Sequence, residues 1–223
     1  KILILFSCSG FFYILLSDEI YFENGEKKIS KIISISKDEI LSEAGKIPIA
    51  TIKYCIFDRF TVAAKKTGII LTDGTRLSGI ILNTENNKIK FRSVAFGLLE
   101  FDENLLAAEY FGKIENQEKF SSSPSVVDTS GNIFSGKILW SDTHSTAVMT
   151  NNGLKKIPSD EVLVIFRKQI KMDKKIVLRN SDIINLPAIF SGDKIKFNWN
   201  KTELNLPLTA VSVINLKNNK SGE

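Results

Sequence analysis

Between residues 69 and 82 the chain reads Ile69-Ile70-Leu71-Thr72-Asp73-Gly74-Thr75-Arg76-Leu77-Ser78-Gly79-Ile80-Ile81-Leu82. Asp-Gly between two apolar runs predicts a β-hairpin with a type I′ turn, in which both central residues take positive φ. Downstream, Glu85-Asn86-Asn87 supplies a second turn. Lys88-Ile89-Lys90-Phe91-Arg92 then alternates with period two, so one face is buried and the other wet. Gly97 marks a third turn, Leu98 to Phe101 a short strand, and Asp102-Glu103-Asn104-Leu105 a single helical turn. Ala107 to Phe111 closes the unit.

The same plan recurs on both sides. Upstream, Ile20-Tyr21-Phe22 leads into Asn24-Gly25, a polar turn at Ser36 to Asp38, Gly45-Lys46-Ile47-Pro48 and a strand from Ile52 to Phe57. Downstream, Val126-Val127 leads into Ser130-Gly131, then Phe134 to Leu139, Ala147-Val148-Met149, Asn151-Asn152-Gly153, Ile157-Pro158 and Val162 to Phe166. A worn copy follows, with Ile176-Val177-Leu178, Asn180-Ser181-Asp182, Ser191-Gly192-Asp193, alternating Ile195, Phe197 and Trp199, and Leu206-Pro207 before Val211 to Leu216. Pro48, Pro158 and Pro207 hold one position, where a fixed φ suits the start of a turn, and Asp102 stands there in the second copy. The expected organisation is a leader at 1–17, units at 18–58, 67–112, 126–168 and 175–217, and a polar linker at 113–125 containing Ser121-Ser122-Ser123-Pro124. A short helical turn is expected near Val62 to Lys66, and the tail Asn218 to Glu223 has the polarity of a linker.

With about five short strands and a helical turn before the last, each unit resembles the small Sm-like or SH3-like barrel. The set resembles the tandem small-barrel repeats of exported bacterial envelope proteins, whose units carry an Asp-Gly-x-x-x-x-Gly segment. Here those residues are Asp73-Gly74 with Gly79, and Gly131 with Gly136; the first copy has Asn24-Gly25 but Ser30-Lys31 where the second glycine would fall. The resemblance covers residues 19 to 217 and implies an all-β tandem array of about four barrel repeats. A β-propeller is the rival architecture, because its blades are of similar length.

Residues 1–17 differ in kind. Lys1 precedes Ile2-Leu3-Ile4-Leu5-Phe6, and Phe11 to Leu16 follow Ser7-Cys8-Ser9-Gly10 before the first acid, Asp18. A basic start, a short apolar run and a small residue at Ser17 describe a secretory signal. Leu5-Phe6-Ser7-Cys8 loosely resembles a lipoprotein box, but apolar residues occupy the place of the polar tether. Export would leave one thiol, Cys55, in a β-like run, where a small buried hydrophobe is expected. The net charge of +5 is spread among acids, as in Glu23 to Lys28, which argues against a nucleic-acid stripe.

Catalytic and metal motifs are scarce. A single histidine, His144, sits in a turn and excludes a two-histidine zinc motif. No phosphate-cradling glycine loop occurs, and no cofactor or metal is expected. Asp102-Glu103 and Asp160-Glu161 look matched between units and are the acids a hydrolase would use, although acids also favour the start of a helical turn. Trp140 and Trp199 are the candidate ligand-binding residues, as platforms for a sugar or base. Alternation places Trp140 on the same side as Ile138, and Trp199 with Ile195 and Phe197. These features predict an exported, non-enzymatic structural or interaction module of the cell envelope. It would take a protein or glycan partner through strand edges and loops, and meet membrane only through the leader. An Sm-like nucleic-acid binder would need a clustered basic face and a cytoplasmic location. A carboxylate-dependent hydrolase would need an acid pair in a cleft.

Overall fold

The structure, a computed structural model, describes residues 4–6, 12–14, 17–57, 67–112, 124–170, 176–199 and 202–216. It is all-β, its sheets are antiparallel, and its helical content among the described residues is confined to single 3-10 turns. No sheet closes into a barrel among the described residues, so the small closed barrels expected from sequence give way to open sheets. The expected leader falls largely outside the described residues, as do the helical turn near residues 62–66, most of the linker at 113–125 and the polar tail.

In chain order, β1 (Ile4–Phe6) pairs with β2 (Phe12–Ile14). Four runs follow. The first is β3 (Glu19–Phe22), β4 (Lys27–Ile29), β5 (Ile32–Ile35), β6 (Glu39–Ser42), β7 (Gly45–Pro48), a 3-10 turn (Ile49–Thr51) and β8 (Ile52–Ile56). The second is β9 (Gly68–Leu71), β10 (Arg76–Glu85), β11 (Lys88–Ser93), β12 (Gly97–Asp102), a turn (Glu103–Leu105) and β13 (Leu106–Tyr110). The third is β14 (Ser125–Asp128), β15 (Ile133–Ser141), β16 (Ser145–Thr150), β17 (Gly153–Pro158), a turn (Ser159–Glu161) and β18 (Val162–Phe166). The fourth is β19 (Ile176–Leu178), β20 (Ile183–Ile184), β21 (Ala188–Ser191), β22 (Lys194–Trp199), β23 (Thr202–Pro207), a turn (Leu208–Ala210) and β24 (Val211–Asn215). Each 3-10 turn follows directly on Pro48, Asp102, Pro158 or Pro207, whose φ values lie between −54 and −70°.

The chain divides into two compact units, residues 63–174 with 180–186, and residues 1–62 with 175–179 and 187–223. In the first of these, strands run in the order β17-β16-β15-β14-β18-β13-β9-β10-β20. The join between runs is made by their last strands, with Ala108 opposite Phe166 and Tyr110 opposite Val164. Val126, Val148, Ile157, Val162 and Ile165 form one apolar cluster, with Phe134 and Ile138 packed against it. Ile70, Ala108, Tyr110, Val127, Val164 and Phe166 belong to a second. On β11 the expected alternation holds: Ile89, Phe91 and Ser93 are buried while Lys88, Lys90 and Arg92 are exposed. In the other unit β19, β24, β8, β3 and β4 are successive neighbours, again with last strands paired, Ile214 opposite Cys55. Cys55 is fully buried, as its apolar surroundings in sequence imply, and burial pushes its thiol up to about 12.

Two details of local geometry depart from expectation or explain it. The hairpin at Asp73-Gly74 forms, but it is not type I′: only Gly74 has positive φ, at 85°. Gly74 N–H donates to the Leu71 carbonyl, giving a longer loop that ends in a left-handed residue. Gly25 and Gly131 repeat this arrangement, and Ser181, at φ 67°, holds a positive φ in the Asn180-Ser181-Asp182 turn. Type I′ chemistry is instead met at Asn86 and Asn87, with φ 51 and 60°. The second detail is the glycine five residues on. β10 pairs with β9 through Ser78 and with β11 from Gly79 onward; β15 changes partner in the same way at Gly136. A Cβ on Gly79 would lie 2.1 Å from the Arg92 carbonyl oxygen, and one on Gly136 2.0 Å from that of Met149.

Gly136→Ala should therefore lower stability by about 2 kcal/mol or more, since a backbone carbonyl must move. Gly131→Ala, which adds its Cβ to open space at φ 85°, should cost only about 1 kcal/mol. Chemical denaturation of the two variants separates the effects; equal losses would mean that φ alone sets the need for glycine.

Candidate ligand-binding face

The two tryptophans part company. Trp199 is 6% exposed and alternates with buried Ile195 and Phe197, so it offers almost no surface to a ligand. Trp140 is 40% exposed. It does not share a side with Ile138, contrary to the simple alternation. A bulge at Leu139 shifts the register, so Ile138 pairs with Val148 and Trp140 with Ala147, consecutive residues that point to opposite faces. Ile138 packs on the core cluster while Trp140 turns to the outside.

Residues paired across an antiparallel ladder stand on the same side, so the outer face can be read in rows. One row is Trp140, Ala147 and Lys156; the next is Lys137, Met149 and Leu154. Ala147 is fully buried, consistent with cover from its larger neighbours, and Lys156 Nζ lies 5.4 Å from the centre of the Trp140 ring. Met149 and Leu154 remain 45% and 50% exposed. On the opposite face of β17, Lys155 Nζ lies 5.5 Å from the Phe134 ring. Both contacts are within cation–π range.

Each of the other three hairpins contains a lysine–carboxylate pair. Lys46 pairs with Glu39 at 2.8 Å, Lys88 with Asp102 at 2.7 Å and Lys196 with Glu203 at 3.1 Å. Among the described residues no carboxylate forms an ion pair with Lys137, Lys155 or Lys156. The lysines and exposed apolar residues around Trp140 could not be singled out from sequence, because they gather only once the register of β15, β16 and β17 is fixed.

The other chemical candidates are placed as follows. His144 is exposed in its turn, where its backbone N–H donates to Asp142 Oδ1 at 2.8 Å. The two acid pairs are out of step: Asp102 precedes its 3-10 turn, as Pro158 does, whereas Asp160 and Glu161 lie inside theirs. Glu103, Asp160 and Glu161 are exposed. A shallow groove of about 680 Å³ runs past Leu82, Glu109, Phe111, Asp142 and Ser159, and Arg167 holds Glu109 at 2.7 Å. Among the described residues no group of three His, Cys, Asp or Glu side chains is arranged to hold a metal ion.

A buried carboxyl also bears on the fold. Asp182 has no exposed surface and accepts hydrogen bonds from Ser78 N–H at 2.7 Å, Ser78 O–H at 2.6 Å and Asn180 Nδ2 at 2.9 Å. Arg76 donates to the Ser181 carbonyl, and Ser78 Oγ is 3.3 Å from Tyr110 Oη. The cluster fastens the 180–186 segment to β10. Loss of water holds the Asp182 carboxyl above the usual carboxylate range, against the opposing pull of Ser78, Asn180 and Arg76. The folded chain thus holds this proton more tightly than the unfolded chain. Its contribution is whole below the ordinary aspartate range and is lost as pH rises through the raised value. Urea unfolding between about pH 4 and 8 should show wild type losing stability relative to Asp182→Asn as pH increases. A difference that does not change with pH would refute this assignment.

Comparison with protein-family models and with curated proteins returned no match.

Proposed function

We propose that this chain is an exported, non-enzymatic interaction module of the cell envelope, a tandem array of four Sm-like/SH3-like units that engages its partner through the Trp140 face. The observation that carries the binding reading is the coincidence on one face of an exposed indole, the exposed apolar side chains of Met149 and Leu154, and two lysines, Lys137 and Lys156, without ion-pair partners among the described residues. Isolated exposed apolar residues are ordinary, but an apolar cluster with uncompensated charge marks an interaction surface. Four recurring hydrogen bonds support the array. The hairpin N–H groups of Glu23, Thr72, Thr129 and Arg179 donate to the carbonyls of Thr51, Leu105, Glu161 and Ala210, each the last residue of a 3-10 turn. The units of such an array would be open rather than closed barrels. Export rests on the basic and apolar composition of residues 1–17.

Trp199→Phe leaves Trp140 as the single indole, so its fluorescence reports the face directly. Titration with polyglutamate and with alginate should give a saturable change with at least one, weakened by salt and by Lys156→Glu. No change with either polymer would end the binding reading. Export is tested separately by fractionation and intact mass: a mature chain starting near Asp18 outside the cytoplasm is expected, and an unprocessed cytoplasmic chain would overturn it.

A further inference from the structure

We infer that β17 receives an extended acidic segment of a partner protein by strand addition. This rests on the reading of the Trp140 face as a binding surface and names its occupant. β17 ends its sheet, pairing only with β16 among the described residues, so its outer row of backbone N–H and C=O groups meets no further strand there. An added strand satisfies such a row, and the side chains beside it set what sequence is accepted.

The side chains of β17 specify a pattern. Leu154 and Lys156 stand on the outer face, with Met149, Ala147 and Trp140. Lys155 and Ile157 stand on the inner face, beside Val148 and Thr146. A strand laid along this edge meets Leu154, Lys155, Lys156 and Ile157 in succession. It is best matched by apolar, acidic, acidic and apolar residues, a pattern that reads the same in either direction. The carboxylates would meet lysines already held near Phe134 and Trp140.

Charge also selects among occupants. Other outer strands carry charges neutralised within their own hairpins: Asp102 on β12 by Lys88, Lys46 on β7 by Glu39, and Glu203 on β23 by Lys196. β17 carries two adjacent lysines with no such compensation among the described residues. Lysines on an edge oppose pairing of that edge with its own copy, which disfavours a β17–β17 dimer. A polysaccharide or lipid headgroup would satisfy the lysines but not the regular row of backbone donors and acceptors.

The test uses the full chain and a capped peptide of roughly ten residues, with Val-Glu-Glu-Val at its centre and threonines on either side. Three comparison probes are its Val-Lys-Lys-Val counterpart, a version N-methylated at alternate residues, and alginate or anionic phospholipid vesicles. Isothermal titration should show binding of the acidic peptide alone among the peptides. The double variant Lys155→Glu, Lys156→Glu should weaken it about tenfold or more and favour the lysine peptide instead. Circular dichroism establishes that the variant is folded, and the gain for the lysine peptide cannot come from unfolding. Equal binding of the N-methylated peptide would overturn strand addition. Binding of alginate or vesicles through these lysines, without peptide binding, would overturn the acidic-segment inference while leaving the binding face intact. Failure of every probe would remove both.

Discussion

A backbone carbonyl occupies the space that a side chain would need at Gly79 and at Gly136, and much of the unit spanning the second and third runs follows from that contact. Because the strands approach so closely, β10 and β15 can each leave one sheet partner and take another without breaking. Their first residues complete the sheet built on β9 and β14; their remaining residues carry hairpins outward. A chain that had to end one strand and start another at this corner would leave backbone donors and acceptors to be satisfied some other way. The first run shows that alternative. Ser30 and Lys31 stand between β4 and β5; Ser30 N–H donates to the Asp18 carbonyl, and Asp18 Oδ2 accepts the Ile32 N–H at 2.7 Å. A buried carboxylate thus supports a corner that elsewhere needs only glycine.

Pairing of last strands determines which edges remain. β13 with β18, and β8 with β24, conceal the edges that open sheets would otherwise present. The outward hairpins receive no such cover from their own runs, so their penultimate strands, β7, β12, β17 and β23, lie outermost. In three of these hairpins one lysine is neutralised by a carboxylate of the same hairpin. In the hairpin of the third run no lysine pairs with a carboxylate among the described residues, and its exposed apolar residues include an indole, Trp140.

Much of this could be seen in the sequence because strands and turns are local. The alternation of Lys88 to Arg92, the helical turns after Pro48, Pro158 and Pro207, and burial of Cys55 depend on near neighbours or on side-chain character. The turn at Asp73-Gly74 was legible as a hairpin but not as to type, since Asp-Gly also suits a loop in which only glycine is left-handed. The position of Trp140 was not legible. A bulge changes the face of a side chain without changing the pattern of hydrophobic residues, and nothing near Leu139 announces one. The grouping of Lys137 and Lys156 with Trp140 depended on the same register and was hidden too. Asp182 was hidden for another reason, because its partners Ser78 and Arg76 lie more than a hundred residues earlier in the chain.

The bulge at Leu139 has a counterpart at Leu82, so β10 and β15 offer the same backbone at this point. On β10 the residue after the bulge is Asn83, and its row continues through Lys90 to Glu100. On β15 it is Trp140, and the row continues through Ala147 to Lys156. Three changes at constant geometry turn a polar row of mixed charge into an aromatic and basic one. Alanine at the centre gives the indole room to lie across the strand, and lysine in place of glutamate reverses the charge at the edge. Core packing requires none of these, since all three positions face away from the apolar cluster beneath β15 and β16. Demands of folding explain the shared bulge and the shared glycine corner. They do not explain why one of two equivalent faces should carry Trp140 and Lys156, whereas the proposed recognition of an acidic partner would.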